Sequence, residues 1–320
     1  MKPSPMKSGK ALDANVYVDM AGLISLQHKA RDLNFLPGRS ARSLWHGRHQ
    51  SRLRGRGLNL EELRPYYPGD DTRYMDWKAT IRTGHPHVRT YTEERDKSAL
   101  ILVDQRISMF FGSRKKMKSV VAAKIAAAAA WGVFSSGDRV GALVFNDDRI
   151  VDVRPRRNQA TVLRLLHTIV TFNQRLKVGR DSPNQNDDQF NEVLFRAEKL
   201  AAHDFLVIIV SDLGGWNETS VKRIKRIARH NDVVAFHIYD PLEKNLPPAG
   251  HYVVSNGRLQ IHFDARKKSL QRQFSEHFMN KVDYLQAELK KHDVPVLLAD
   301  TVQDSWSHPP SVIPKRIPRP

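Results

Sequence analysis

The stretch Ala99-Leu-Ile-Leu-Val-Asp104 decides the fold, because it is a short, unbroken apolar run that ends in an acid. A strand that is buried on both faces of a parallel sheet has this composition. Residues 205–212, Phe-Leu-Val-Ile-Ile-Val-Ser-Asp, repeat the pattern and again end in an aspartate. In doubly wound sheets, ligands bind at the carboxyl ends of the strands. Asp104 and Asp212 are both predicted to fall at that edge.

Helical and strand patterns alternate around these two runs. Helices are predicted over residues 116–134, 161–172, 190–202, 219–230 and 268–291. Further strands are predicted over 139–145, 149–153, 233–239 and 294–299, with a hairpin over 251–263. This alternation favours an α/β fold with a doubly wound, mostly parallel, Rossmann-like sheet.

The same patterns divide the chain into four parts. The proposed parts are an N-terminal extension (1–96), an α/β core (97–245), a C-terminal hairpin, helix and strand that pack on the core (246–307), and a basic, proline-rich tail (308–320).

The chain has 320 residues, no cysteine and a formal net charge of +18. The absence of cysteine excludes disulfides, thiolate zinc sites and cysteine nucleophiles. The positive charge favours an acidic partner such as nucleic acid, a membrane surface or an acidic protein, and the alternative is a solvated basic surface. One arginine-rich stretch with interleaved Trp45 offers both charge and stacking to nucleic acid. Its arginines are Arg42, Arg48, Arg52, Arg54 and Arg56.

The N-terminal residues are basic and polar, without the apolar segment of a secretory signal. The longest apolar run, residues 120–134, contains Lys124 and is shorter than the ~20 residues of a membrane-spanning helix. A buried helix is therefore predicted there. We expect a soluble, cytoplasmic protein without a transmembrane segment.

The most distinctive segment precedes the first buried strand. Its centre reads Arg64-Pro-Tyr-Tyr-Pro-Gly-Asp70-Asp71-Thr-Arg73-Tyr-Met-Asp76-Trp77. This string resembles a motif of the bacterial domain-of-unknown-function fifty-eight family. The resemblance continues through Asp104 and Ser108, through Gly137-Asp-Arg-Val-Gly141 and through Ser211-Asp212, and it covers roughly residues 45–240.

The resemblance implies a von Willebrand factor A-like core and a role as an adaptor or chaperone-like partner of a MoxR-type AAA+ ATPase. Apart from the family, the segment has turn chemistry at residues 68–71. Its charged side chains suit an ion-pair network with Trp77 as an apolar anchor. The segment is either a recognition surface for a partner or a brace that holds it on the sheet. The candidate residues are Arg64, Asp70, Asp71, Arg73, Asp76, Trp77 and Arg82.

The resemblance also implies a metal site, because von Willebrand A domains bind Mg²⁺ through an Asp-x-Ser-x-Ser loop, a threonine and a further aspartate. Here Asp104, Ser108 and Asp212 match, Arg106 replaces the middle serine, and no threonine occurs at residues 184–189. Two unit charges ~4 Å apart interact by about 4 kcal/mol at an effective dielectric constant of about 20. The interaction is repulsive between Arg106 and a metal ion and attractive between Arg106 and Asp104 or Asp212. Either Arg106 fills the site in place of the ion, or it turns outward and Mg²⁺ binds weakly.

The sequence contains no Gly-x-x-x-x-Gly-Lys phosphate loop, Gly-x-Ser-x-Gly elbow or His-Glu-x-x-His motif. Asp104 and Asp212 have no associated nucleophile, so an enzyme is not expected. Two functions remain. The first is a non-enzymatic protein-interaction module that serves a MoxR-type ATPase. The second is nucleic-acid binding through residues 42–56.

Overall fold

The structure is a computed structural model that describes residues 13–30, 48–49, 58–68, 70–94, 98–177, 188–246, 251–255, 260–264 and 268–302. The chain forms two compact units. One comprises residues 1–37 and 98–320, and the other comprises residues 38–97. The predicted proline-rich tail, 308–320, lies outside the described residues.

Within the described residues the helices and strands have the following bounds. The strands are β1 (Arg48–His49), β2 (Leu58–Pro65), β3 (His87–Glu94), β4 (Ser98–Asp104), β5 (Arg139–Phe145), β6 (Ile150–Arg156), β7 (Phe205–Ser211), β8 (Asp232–Tyr239), β9 (His251–Ser255), β10 (Gln260–Asp264) and β11 (Val296–Asp300). The helices are α1 (Met20–Ala30), α2 (Trp77–Thr83), α3 (Lys118–Ser135), α4 (Gln159–Asn173), α5 (Gln189–Leu200), α6 (Glu218–Ala228), α7 (Pro241–Lys244) and α8 (Lys268–Lys290).

The larger unit is built on a six-stranded sheet with the strand order β11-β8-β7-β4-β5-β6. Neighbouring strands are parallel, except that β6 runs antiparallel to β5. The two apolar runs that suggested the fold are β4 and β7, and they pair side by side at the centre of the sheet. The predicted doubly wound, mostly parallel α/β sheet is confirmed.

Helix α3 lies in the core, and nearly all of its residues are buried. Its run Ala126–Ala130 combines the highest helix propensity with small side chains, which suits a helix enclosed on all sides. Among the described residues, α3 is the one helix long and apolar enough to cross a membrane, and 83% of that span is buried inside the protein. The predicted buried helix is confirmed. It spans residues 118–135, whereas the sequence predicted residues 116–134.

Helix α1 precedes the motif segment in the chain but belongs to the larger unit. It packs against α3 and α4, and its Leu23 is buried. The indole N–H of Trp131 donates to the carbonyl of Leu23 at 3.1 Å, and the Val18 N–H donates to Asn173 Oδ1 at 2.9 Å. Whereas the sequence division treated residues 1–96 as one extension, the unit of residues 38–97 lies between α1 and β4 in the chain.

The C-terminal part contributes a strand to the sheet itself. β11 is an edge strand that pairs in parallel with β8, with Val296 opposite Ala235. Helix α8, which precedes it, buries Val282, Leu285 and Leu289. β9 and β10 form the expected antiparallel hairpin.

The smaller unit contains an antiparallel sheet in the order β1-β3-β2. Helix α2 lies between β2 and β3 in the chain. Its N-cap, Asp76, accepts a hydrogen bond from the Ala79 N–H at 3.0 Å, and Gly84 closes the helix in a left-handed conformation with φ of 75°.

Candidate functional site

The two aspartates of the sequence analysis meet where the strand order reverses. Asp104 is the last residue of β4, and Asp212 follows β7 directly. β5, the strand that follows β4 in the chain, lies on one flank of the β4–β7 pair. β8, the strand that follows β7, lies on the other flank. Such a switch point leaves a crevice at the carboxyl ends of the strands, where ligands of doubly wound sheets bind.

Arg106 occupies this position with its guanidinium group. Its Nη2 lies 2.6 Å from Asp104 Oδ2, and its Nε lies 3.0 and 3.1 Å from the two oxygens of the same carboxylate. The same Nη2 lies 3.5 Å from Asp212 Oδ1. The guanidinium also contacts the rings of Phe145 and Phe190, with Cζ 5.6 and 5.9 Å from their centroids.

The position of Arg106 follows from the loop that leaves β4. The Arg106 N–H donates to Asp104 Oδ1 at 3.0 Å, which folds the chain back over the carboxylate. The next N–H, of Ile107, donates to Asp147 Oδ2 at 2.7 Å. Asp104 is fully buried and Arg106 nearly so, so the pair is removed from water.

A second buried cation neutralises Asp212. Lys118 is the first residue of α3, and its Nζ lies 3.0 Å from Asp212 Oδ2 and 2.7 Å from Glu243 Oε1. The other oxygen of Glu243 accepts the Asp240 N–H at 2.9 Å in the capping box of α7. The ionic cluster, which we define as Asp104, Arg106, Lys118, Asp212 and Glu243, therefore joins the ends of β4 and β7 to the starts of α3 and α7.

Burial disfavours each of these charges, and the opposite charges beside them outweigh it. Lys118 and then Arg106 hold the pKa of Asp212 well below its usual range. Despite its burial, Arg106 has a raised pKa because of the negative charge of Asp104. Burial likewise opposes the charge of Lys118, but Asp212 and Glu243 raise its pKa. Asp212, Arg106 and Lys118 are thus all charged at neutral pH.

The hydroxyl in the site comes from β7. Ser211 Oγ donates to Asp104 Oδ2 at 2.6 Å and accepts the Leu213 N–H at 2.9 Å. Ser108, the candidate from the sequence, is exposed on the short 3-10 helix Ile107–Met109. Ser211 and Lys118 are not among the site residues predicted from the sequence. The sequence carries no local signal for either residue, because a charge or hydroxyl beside a helix or strand end is ordinarily solvated.

A buried histidine lies on the neighbouring strand. The ring of His237 in β8 stacks on Tyr239 and Phe278, with centroids 6.4 Å apart in both cases. Neither ring nitrogen has a hydrogen-bond partner among the described residues. Burial, followed by the charge of Lys281, lowers the pKa of His237 to about 4. His237 is therefore neutral at physiological pH.

In the described part of the motif segment, ion pairs join Arg64 to Asp70, Arg73 to Asp71 and Arg89 to Asp76. Arg64 binds Asp70 with two hydrogen bonds of 2.8 and 2.7 Å. Arg89, which was not among the candidates, binds Asp76 at 2.9 Å through its Nε.

The remaining motif candidates lie at the surface. Asp71 caps a short 3-10 helix by accepting the Arg73 N–H at 3.0 Å. Arg82 is exposed, and Trp77 is 65% exposed. Within the described residues, the expectation that Trp77 is an apolar anchor is wrong.

The candidate nucleic-acid residues Arg42, Arg52, Arg54 and Arg56 lie outside the described residues. Arg48 lies in β1, where only the backbone is described. Nucleic-acid binding by this stretch stays a prediction.

The geometry defines a class: a doubly wound α/β protein with a buried ionic cluster at its switch point and a small β-rich unit inserted before the central strand. More particularly, the chain belongs to the family described as Protein of unknown function DUF58, whose family model matches residues 62–281. The resemblance found in the motif is thereby confirmed.

Relatives and solved structures are similar to the chain over about two thirds of its length. The uncharacterized proteins Rv1480 of Mycobacterium tuberculosis and Mb1516 of Mycobacterium bovis are each 32% identical over 214 residues, which is 66% of this chain and 64% of each relative. The match thus spans less than two thirds of those relatives. The conserved hypothetical protein BatB from Bacteroides thetaiotaomicron matches 66% of this chain and 94% of its own, with 12% identity and a TM-score of 0.39. The SpRpn10 VWA domain matches 67% and 93%, with 12% identity and a TM-score of 0.34.

Proposed function

We propose that this protein is a non-enzymatic protein-interaction module of the cytoplasm that acts as an adaptor or chaperone-like partner of a MoxR-type AAA+ ATPase. Membership of the family supports the ATPase partner, since the motif resemblance implies that association. One observation carries the non-enzymatic part of the proposal. The acids at the ligand-binding edge of the sheet are bound by internal cations, with Arg106 2.6 Å from Asp104 and Lys118 3.0 Å from Asp212.

Catalysis needs a group that is able to exchange protons or attack a substrate. Asp104 is fully buried, and its oxygens accept bonds from Arg106 and Ser211. Asp212 is held ionised by two cations. Asp104 is therefore screened from a substrate by its burial, and Asp212 is not poised as a general acid, which supports a binding role.

The same contacts argue against a resident Mg²⁺. Carboxylate oxygens are suitable ligands for Mg²⁺, but an ion between Asp104 and Asp212 would meet the guanidinium of Arg106 and the ammonium of Lys118, both within 3.5 Å of these carboxylates. Repulsion at that range is strong in a buried site. We infer that the residues do not fit Mg²⁺ and that the module binds its partner without a bridging metal.

The proposal is tested by mixing the purified full chain with the purified MoxR-type ATPase of the same genome. We expect a defined complex by size-exclusion chromatography with light scattering and a micromolar or tighter dissociation constant by titration calorimetry. An AAA+ ATPase of another class is the control. The absence of a complex in the ADP-bound and in the ATP-analogue-bound ATPase would contradict the proposal.

A further inference from the structure

Helix α2 presents an exposed face that is half apolar and half basic. Trp77 and Ile81 lie one turn apart, and their residues are 65% and 83% exposed. Lys78 and Arg82 form the next row of the same helix and are also exposed. Ala79, on the opposite side, is buried. We call the four exposed residues Trp77, Lys78, Ile81 and Arg82 the α2 face.

The α2 face is held by the structure beneath it. Asp76 caps the first turn through the Ala79 N–H and also binds Arg89 Nε at 2.9 Å. At the other end, the Gly84 N–H donates to the Thr80 carbonyl at 2.9 Å. Both ends of this short helix are therefore closed, which fixes the backbone that carries the α2 face. A preorganised backbone loses less conformational entropy on binding.

The composition of the α2 face is that of an interface. Tryptophan and arginine are enriched among the residues that contribute most to protein–protein binding. An exposed tryptophan and isoleucine also leave apolar surface in water, which favours its removal by a partner. Within the described residues, Lys78 and Arg82 have no ion-pair partner, so both remain available to carboxylates.

We propose that the α2 face docks an acidic amphipathic segment of a partner protein. An apolar side chain of that segment covers Trp77 and Ile81, and its carboxylates pair with Lys78 and Arg82. The inference rests on the proposed function and assigns a surface to it. A second copy of this chain is disfavoured as the occupant, because its net charge of +18 repels an identical basic face. Two apolar side chains on a two-turn helix also provide little area for a membrane surface.

The test uses the full chain and a fluorescein-labelled synthetic helical peptide with a leucine stripe and a glutamate face. A peptide with lysine in place of every glutamate is the matched probe. We expect the acidic peptide to raise the fluorescence anisotropy in a saturable, salt-weakened way and the lysine peptide not to bind. Trp77→Ala and Arg82→Glu should each weaken binding about tenfold or more.

Matched substitutions elsewhere control for general effects of hydrophobicity and charge. Tyr284→Ala, at a 55% exposed aromatic residue of α8, and Arg154→Glu, at an exposed arginine of β6, should leave peptide binding unchanged. Circular dichroism and the urea midpoint of Trp77→Ala and Arg82→Glu should match those of the unaltered chain, because both side chains are exposed.

Several results would overturn the inference. The first is that the acidic peptide does not bind. The second is that Trp77→Ala binds the acidic peptide as tightly as the unaltered chain does, or that the lysine peptide binds as tightly as the acidic one. The third is Trp77-dependent binding to phosphatidylserine vesicles without any binding of the peptide. The assay contains no ATPase. Such a result therefore contradicts docking at the α2 face, whereas the ATPase complex is tested separately. Conversely, binding of the peptide without formation of an ATPase complex would contradict the proposed partner and support the α2 face as a docking surface.

Discussion

Arg106 binds Asp104 from two residues further along the chain, with its Nη2 2.6 Å from Asp104 Oδ2 and its backbone N–H 3.0 Å from Asp104 Oδ1. The loop that leaves the central strand thus supplies its own counter-charge. Breaking a buried ion pair leaves an isolated charge in a region of low dielectric constant, which is costly. Loss of a single charge from the ionic cluster is therefore expected to destabilise the fold strongly.

Arg106→Ser should lower the free energy of unfolding by about 3 kcal/mol, because Asp104 is left buried without a cation. Urea unfolding followed by circular dichroism measures the change. Arg154→Ser is the matched control, since its side chain is 79% exposed and lies 4.0 Å from Asp152, and it should cost less than about 1 kcal/mol. Equal effects of the two substitutions would contradict the role of Arg106.

Removal of Arg106 should also make the protein responsive to divalent ions. Mg²⁺ or Mn²⁺ should leave the unfolding midpoint of the unaltered chain unchanged and raise that of Arg106→Ser, because the freed carboxylate and the new hydroxyl are both hard oxygen ligands. The double variant Asp104→Ala with Arg106→Ser should lose this response. Micromolar binding of either ion to the unaltered chain, abolished by Asp104→Ala in calorimetry, would show instead that a metal occupies the site.

Ser211 and Ser108 should differ sharply in their importance. Ser211→Ala removes a donor to Asp104 and leaves the Leu213 N–H without its acceptor, so it should cost about 2 kcal/mol of unfolding free energy. Ser108 is exposed, and Ser108→Ala should stay within about 0.5 kcal/mol of the unaltered chain. A larger loss of unfolding free energy for Ser108→Ala than for Ser211→Ala would contradict the role of Ser211 as the hydroxyl that supports Asp104.

His237 should make the fold sensitive to acid. Its pKa falls from 6.5 to about 4 on folding, so the unfolded chain binds the additional proton first. The contribution of His237 to the free energy of unfolding is complete above pH 6.5. It is lost as the pH falls from 6.5 towards 4, and the total loss is roughly 3 kcal/mol. His237→Phe should remove this part of the pH dependence, because phenylalanine does not titrate. The substitution should leave the fold intact, because a phenyl ring can also stack on Tyr239 and Phe278.

A series of urea midpoints between neutral pH and pH 4 tests the effect of His237. His203→Phe is the control, because the His203 side chain is 77% exposed, and its pH profile should follow that of the unaltered chain. Parallel profiles for His237→Phe and the unaltered chain would assign the acid sensitivity to other groups.

Helix α1 should contribute to the stability of the larger unit. Leu23 is buried against α3, while its neighbour Ile24 is 37% exposed. Leu23→Ala should therefore cost about 3 kcal/mol, and Ile24→Ala less than about 1 kcal/mol. Similar unfolding midpoints for the two variants would mean that α1 is not part of the cooperative unit.

Much of the sheet could be predicted because its signals are local. The apolar runs of β4 and β7 and the alanine-rich α3 are continuous in sequence, and their composition is that of buried elements. Asp104 and Asp212 could be placed at the strand ends for the same reason. The strand β11 was predicted as an element, but its place at the sheet edge beside β8 depends on pairing between distant residues.

The site could be predicted only in part. Arg106 was identified because it stands inside a recognisable loop pattern, two residues from Asp104. Lys118 and Glu243 were missed, because a charge near a helix start is ordinarily solvated and no local pattern distinguishes a buried one. The exposure of Trp77 was also missed, because tryptophan is on average a highly buried residue.

Strand composition and periodicity alone establish the α/β class, its two most apolar strands and the acids at their ends, and the motif at residues 64–77 indicates the family by resemblance. Those properties depend on neighbours in the chain, whose spacing the fold preserves. The tertiary structure alone determines that Lys118 neutralises Asp212, that Ser211 rather than Ser108 binds Asp104, and that α2 turns Trp77 outward. Burial and ion pairing arise between groups that only folding brings together, and their energies depend on distance and on the exclusion of water.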